Sequence, residues 1–289
     1  MIRSRRAPIA LAVVLLALHP ALVLAQCEDC GRQSGGGQGA LLAANALLGG
    51  ATAAVRAGVG GRPVLRAFAA GAAGGALTFA GKRIAVEEAK GAGLLGRQVA
   101  ALGSSISANV AEGRGPVDRL MVPAGPVRLY LSPRGGGPLV TARVDAAAVV
   151  AAAYAAVQPG ARFDPEESLS SGALVFRLDR PLGELRYEGR HAAGVVMVRD
   201  GGDPAREYRA SVHERVHVLQ YDQAFLLWSA PVEERLMRSA RWARSLHRWA
   251  DLGLNAPALA GVGVLVPYRL QPWEAEAEHL SRVPAGPDQ

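Results

Sequence analysis

Hydrophobic positions change their period three times along this chain. From Ala7 to Leu24 they run almost without interruption behind Arg3, Arg5 and Arg6. Leu41 to Gly61 and Val64 to Gly81 form two Ala/Gly-rich apolar stretches, parted by Gly60-Gly61-Arg62-Pro63 and followed by Lys82-Arg83. They predict a helical hairpin in which small residues such as Gly71, Gly74 and Gly75 allow close approach. From Val117 to about Arg206 the pattern breaks into short alternating runs punctuated by glycine and proline. Val127–Leu131, Leu139–Val144, Ala173–Leu178 and Val195–Val198 read as strands of a small antiparallel sheet, with Ala-rich Asp145–Val157 ambiguous. Glu207 to Trp228 holds no Gly or Pro and carries apolar residues at helical spacing, which predicts a helix ending where Pro231 interrupts. Val232–Asp251 reads as a second helix burying Leu236, Trp242, Leu246 and Trp249. Ala258–Val266 is a short apolar segment, and Pro272 suits the first turn of a last helix.

The expected class is therefore α+β. Residues 41–115 are Gly/Ala-rich and helical, 116–206 β-rich and 207–282 helical, with a tail at 283–289. Residues 1–25 have the charged start, apolar stretch and small-residue end of a signal peptide. Export follows, to a periplasmic or cell-envelope location. Residues 26–40 read as a flexible Gly-rich linker carrying Cys27 and Cys30, the only cysteines. In an oxidising compartment these are candidates for a local disulfide. Lipidation of Cys27 is disfavoured by Gln26, where a small residue is needed.

Charge changes the picture little. The formal +7 falls to +4 when Arg3, Arg5 and Arg6 are set aside, and the remaining basic residues are scattered. Scattered arginines argue against a nucleic-acid surface, whereas a membrane remains a conceivable partner. The two apolar stretches are marginal in length for crossing a bilayer, and Arg56 and Arg66 within them carry a cost in hydrocarbon. Membrane association and packing against the rest of the chain both stay open.

The chemistry is concentrated in one decapeptide, Ser211-Val212-His213-Glu214-Arg215-Val216-His217-Val218-Leu219-Gln220. Residues four apart on a helix share a face, so His213 and His217 can aim two imidazoles at one metal ion, with Glu214 beside them as a candidate general base. With six histidines in 289 residues, such a pattern arises by accident in fewer than about one chain in a hundred. The spacing suits Zn2+, which needs a third protein ligand. Gln220 and Gln223 stand where a metzincin would have Gly and His, excluding that class. Glu274 in Gln271-Pro272-Trp273-Glu274-Ala275-Glu276-Ala277-Glu278 is the leading candidate, with Glu233, Glu234 and Glu276 as alternatives. His247 and His279 are candidates for orienting a substrate oxygen.

His-Glu-x-x-His followed by Glu274-x-Glu276-Ala277-Glu278 resembles the gluzincin metallopeptidases, particularly their periplasmic and membrane-linked bacterial group. The resemblance covers about 213–278. It implies a zincin-like helical metal site with Glu274 as third ligand and an acidic partner at Glu278, where the family usually has Asp. It also implies a zinc-dependent peptidase acting on a peptide or protein substrate. The alternative is a non-catalytic envelope protein with a structural metal site, associating with a membrane or partner through residues 41–81.

Overall fold

Small residues decide how the first part of the chain packs. In the computed structural model, which describes residues 36–134, 138–180, 189–200, 203–239, 241–267 and 271–281, helices α1 (Gly36–Val59), α2 (Val64–Ala85) and α3 (Ala92–Ala111) lie against one another. A Cβ on Gly75 would collide with the Asn45 carbonyl of α1, and one on Gly81 with the backbone of Gly96 in α3. Backbones this close interlock where no side chain intervenes, so we expect Gly75→Ala to destabilise the chain by about 1–3 kcal/mol, as measured by urea denaturation. Unchanged stability would mean that this contact is not made.

The stretch expected as a linker as far as residue 40 is helical from Gly36 onward. The leader at 1–25, Cys27 and Cys30, and the tail at 283–289 lie outside the described residues. Helices α1 and α2 are long and apolar enough to cross a membrane by length and composition. They also carry buried charge. Lys82 of α2 donates to Asn45 of α1 at 2.9 Å and to Glu276 near the C-terminus at 2.7 Å. The Arg56 guanidinium reaches Glu112 at 2.7 Å and the Leu227 carbonyl at 3.2 Å. These bonds tie the helical pair to the C-terminal part.

Two four-stranded sheets replace the single antiparallel sheet that the pattern suggested. The first has the order β1 (Leu120–Ala124), β2 (Val127–Leu131), β3 (Val140–Asp145), β8 (Ala250–Asp251); the first two pairings are antiparallel and β3–β8 is parallel. Asp145 then caps α4 (Ala146–Ala156) by accepting the Ala148 N–H, which resolves the ambiguous Ala-rich stretch as helix. The second sheet has the order β4 (Arg162–Phe163), β5 (Leu174–Leu178), β7 (Val195–Arg199), β6 (Gly189–Ala192), with β5–β7 parallel and the others antiparallel. A short helix α5 (Pro165–Ser171) leads from β4 into β5.

Strand β7 is apolar on both faces because both are covered. Val195 and Met197 meet Phe176, Leu178 and Ala155, while Val196 and Val198 meet Val175, Val218 and Leu219. Val218 and Leu219 belong to α6 (Pro204–Ala224), which Asp203 caps and Pro204 opens. Pro231 does not end this helical run. A π-helical turn at Phe225–Ser229 joins α6 to α7 (Ala230–Met237), whose first turn contains Pro231.

The expected helix over Val232–Asp251 is instead α7, α8 (Arg241–His247) and strand β8. Leu236, Trp242, Leu246 and Trp249 are exposed rather than buried. The inward positions are Glu233, Met237 and Ala243. Glu233 accepts N–H bonds from Leu252 and Leu254, so a buried carboxylate holds the turn that a continuous helix would have erased. The chain continues through α9 (Asn255–Leu265) to α10 (Pro272–Ser281).

Candidate metal centre

Helices α6 and α10 meet at three side chains. His213 and His217 lie one turn apart on α6, and Pro272 starts α10 so that Glu274 falls in its first turn. The two Nε2 atoms are 3.0 Å apart, and Glu274 Oε2 is 3.2 Å from each. Zinc bonds of 2.0–2.2 Å in a tetrahedral arrangement place ligand atoms about 3.3 Å from one another. The triangle thus has the size of one face of a zinc coordination shell, and the three residues form a group able to hold a metal ion.

The electrostatics favour a cation at this point. Burial alone would lower the His217 pKa, but its hydrogen bond to Glu274 and the charge of Glu214 push it up to about 9. Glu214 is buried on the same turn. Burial raises its pKa, with His217 and His213 pulling the other way, and a carboxylate so placed is a better proton acceptor than one in water. Gly189 of β6 leaves room for it, since a Cβ there would press on the Glu214 side chain at 3.0 Å.

Behind His217 lies a chain of hydrogen bonds. Its Nδ1 is 2.7 Å from Gln220 Oε1, so the Gln220 amide oxygen accepts an Nδ1–H and leaves Nε2 free to face Glu274. The Gln220 amide nitrogen donates to the Trp273 carbonyl at 3.0 Å and to Glu276 at 2.8 Å. Glu276 in turn takes the bonds from Lys82 and from Asn45. Burial works against its charge, but Lys82 and these donors hold its carboxyl below the usual range. Replacing Gln220 with Ala should weaken zinc binding by about 10–100-fold, measured by competition with a chromogenic chelator. An unchanged affinity would show that this orienting bond is dispensable.

Other sequence candidates stand elsewhere. Glu278 is exposed, and Glu276 is committed to Lys82. Glu234 pairs with Arg238. Glu233 joins His247 and Asp251 in a second group of closely spaced ligand atoms. There the Arg143 guanidinium lies 3.1 Å from both His247 Nε2 and Asp251 Oδ1, and Glu233 is taken up by Ser229 and two backbone N–H groups, so a fixed cation already fills the gap. His247 therefore belongs to that cluster, and the ring of His279 sits against Gly37.

A different histidine accompanies the site. His191 of β6 has its ring 6.1 Å from that of His217 and 5.9 Å from that of Tyr221. Its Nε2 accepts the Gly194 N–H at 3.0 Å, which puts the ring proton on Nδ1. Burial, aided by His217 and Arg97, lowers its pKa to about 3, which favours the neutral ring. The sequence offered no periodic signal for His191; Gln220 was discoverable, because three residues after His217 is the same helix face.

No family model, curated protein or solved structure matches this chain, so its chemistry rests on the geometry of this site.

Proposed function

We propose that the protein is a zinc-dependent metallopeptidase of the gluzincin type, with His213, His217 and Glu274 as ligands and Glu214 as general base. The observation that carries this reading is the 3.0–3.2 Å triangle of ligand atoms with a buried carboxylate beside it. Zinc bound there would supply the positive charge that acidifies water and polarises a peptide carbonyl. Glu214 takes a proton on its carboxylate and returns it to the leaving amine. Gln220 and Glu276 hold the His217 ring in register from behind.

Strand β6 is the edge of its sheet among the described residues and runs beside α6. An extended peptide can add to such an edge through main-chain hydrogen bonds, bringing its carbonyl past Gly189 toward Glu214. The test is hydrolysis of an unstructured protein such as casein by the full chain, with new N-termini read by mass spectrometry. New termini that vanish with a zinc chelator support the proposal, and their absence from the zinc-loaded chain refutes it.

A structural metal site is the rival reading. A staple between α6 and α10 would need His213, His217 and Glu274 but would have no use for Glu214. For location, we infer export to the cell envelope, with α1 and α2 held to the C-terminal part by Lys82 and Arg56. Recovery of the chain from the cytosolic fraction of its source cells would overturn that inference.

A further inference from the structure

Away from the metal centre, a cavity of about 100 Å³ opens between α3, the first sheet and the segment Leu226–Asp251. Its volume is that of a few waters or one small polyatomic ion. Arg114, Arg119 and Arg143 line it together with Tyr130, Glu112, Glu234 and Asp251. The lining carboxylates are already engaged: Glu112 by Arg56 and Arg114, Glu234 by Arg238, and Asp251 by Arg143, Arg128 and the Tyr130 hydroxyl.

Arg119 is different. Its guanidinium lies over the Tyr130 ring with Cζ 4.2 Å from the centroid, and Arg143 approaches the same ring at 5.3 Å. Among the described residues, the lining carboxylates pair with Arg56, Arg114, Arg143 and Arg238, and Arg119 takes neither an ion pair nor a side-chain hydrogen bond. Asn109 fixes the loop that carries it by donating to the Pro116 and Arg119 carbonyls at 2.9 and 2.8 Å. A half-buried guanidinium that takes no ion-pair partner among the described residues, close to two other arginines held in place by Glu112 and Asp251, is a fork for a planar or tetrahedral oxyanion.

We propose that this cavity binds one small oxyanion, a phosphate or carboxylate group, through Arg119 with Arg114 and Arg143 beside it. A path of polar contacts leads from it to the metal helix. The Tyr130 hydroxyl donates to Asp251 at 2.6 Å, Arg128 bridges Asp251 and Asp145, and the Tyr221 hydroxyl donates to Asp145 at 3.0 Å. Tyr221 lies one turn beyond His217.

Isothermal titration calorimetry of the full zinc-loaded chain with orthophosphate, and separately with acetate, tests this at constant ionic strength. One equivalent of orthophosphate, with acetate silent, assigns the site to phosphate groups; the reverse assigns it to carboxylates. Because either anion can also bind zinc, the same titration is run on His213→Ala, where the proposed binding persists. In Arg119→Gln it falls at least about tenfold, and in Arg119→Lys, which keeps the charge but loses the fork, it falls less. No binding of either anion, binding lost in His213→Ala, or binding unchanged in both Arg119 variants overturns the proposal. The wild-type and His213→Ala titrations decide even if the Arg119 variants fail to fold.

Discussion

Glu214→Gln should keep one zinc per chain and lose about 10²–10⁴-fold in peptide hydrolysis. Glu214 is not one of the three clustered ligand atoms, so exchanging one of its oxygens for an amide leaves the His213, His217 and Glu274 triangle intact. What disappears is the proton acceptor. Gln also matches Glu in shape, so the contact with Gly189 survives and the fold has no reason to move. The comparison is kcat/KM on one peptide substrate, with metal content measured in parallel. Equal turnover by the two proteins would remove Glu214 from the mechanism and favour the structural-metal reading.

Metal removal is the second large effect. His213 and His217 come from α6 and Glu274 from α10, so a bound ion joins two helices that otherwise meet through Gln220, Glu276 and apolar contacts such as Val216 with Ala277 and Leu280. At zinc a thousandfold above its dissociation constant, binding stabilises the folded chain by about 4 kcal/mol. For a chain of this size that is roughly 8–16 °C in Tm. Chelation of the wild-type protein should lower Tm by that amount, whereas Glu274→Ala should melt near the chelated value with or without zinc. A wild-type Tm indifferent to chelator would mean that no ion spans the two helices.

Much of the candidate site was legible because helix geometry is local. His213 and His217 had to share a face, and Pro272 announced the helix that delivers Glu274. The hairpin was visible in its apolar composition, and β2, β3, β5 and β7 in their alternation or β-branched runs. Strand β6 was not, since Gly189-Arg190-His191-Ala192 carries no β-branched residue and owes its conformation to pairing with β7. His191 was missed with it. The helix expected over Val232–Asp251 failed because Trp242 and Trp249 suggested a buried face, while the position that folding buried was Glu233. Its partners at Leu252 and Leu254 lie beyond the window that periodicity examines.

Long-range polar contacts were equally invisible. Lys82 and Glu276 are 194 residues apart in sequence, and Arg97 and Asp222 are 125 apart, yet both pairs are buried. The first matters for any truncation. A fragment beginning after Ala85 would lose Asn45 and Lys82, leaving the buried Glu276 carboxylate without its cation next to the proposed metal ligands.

The central claim is therefore best tested on the full chain, by elemental analysis of zinc in the purified wild type, His213→Ala and Glu274→Ala, each checked for folding by circular dichroism. The geometry predicts about one zinc per wild-type chain and essentially none in either variant. A folded wild type that takes up no zinc, or a Glu274→Ala protein that retains it, would contradict the two-helix metal site.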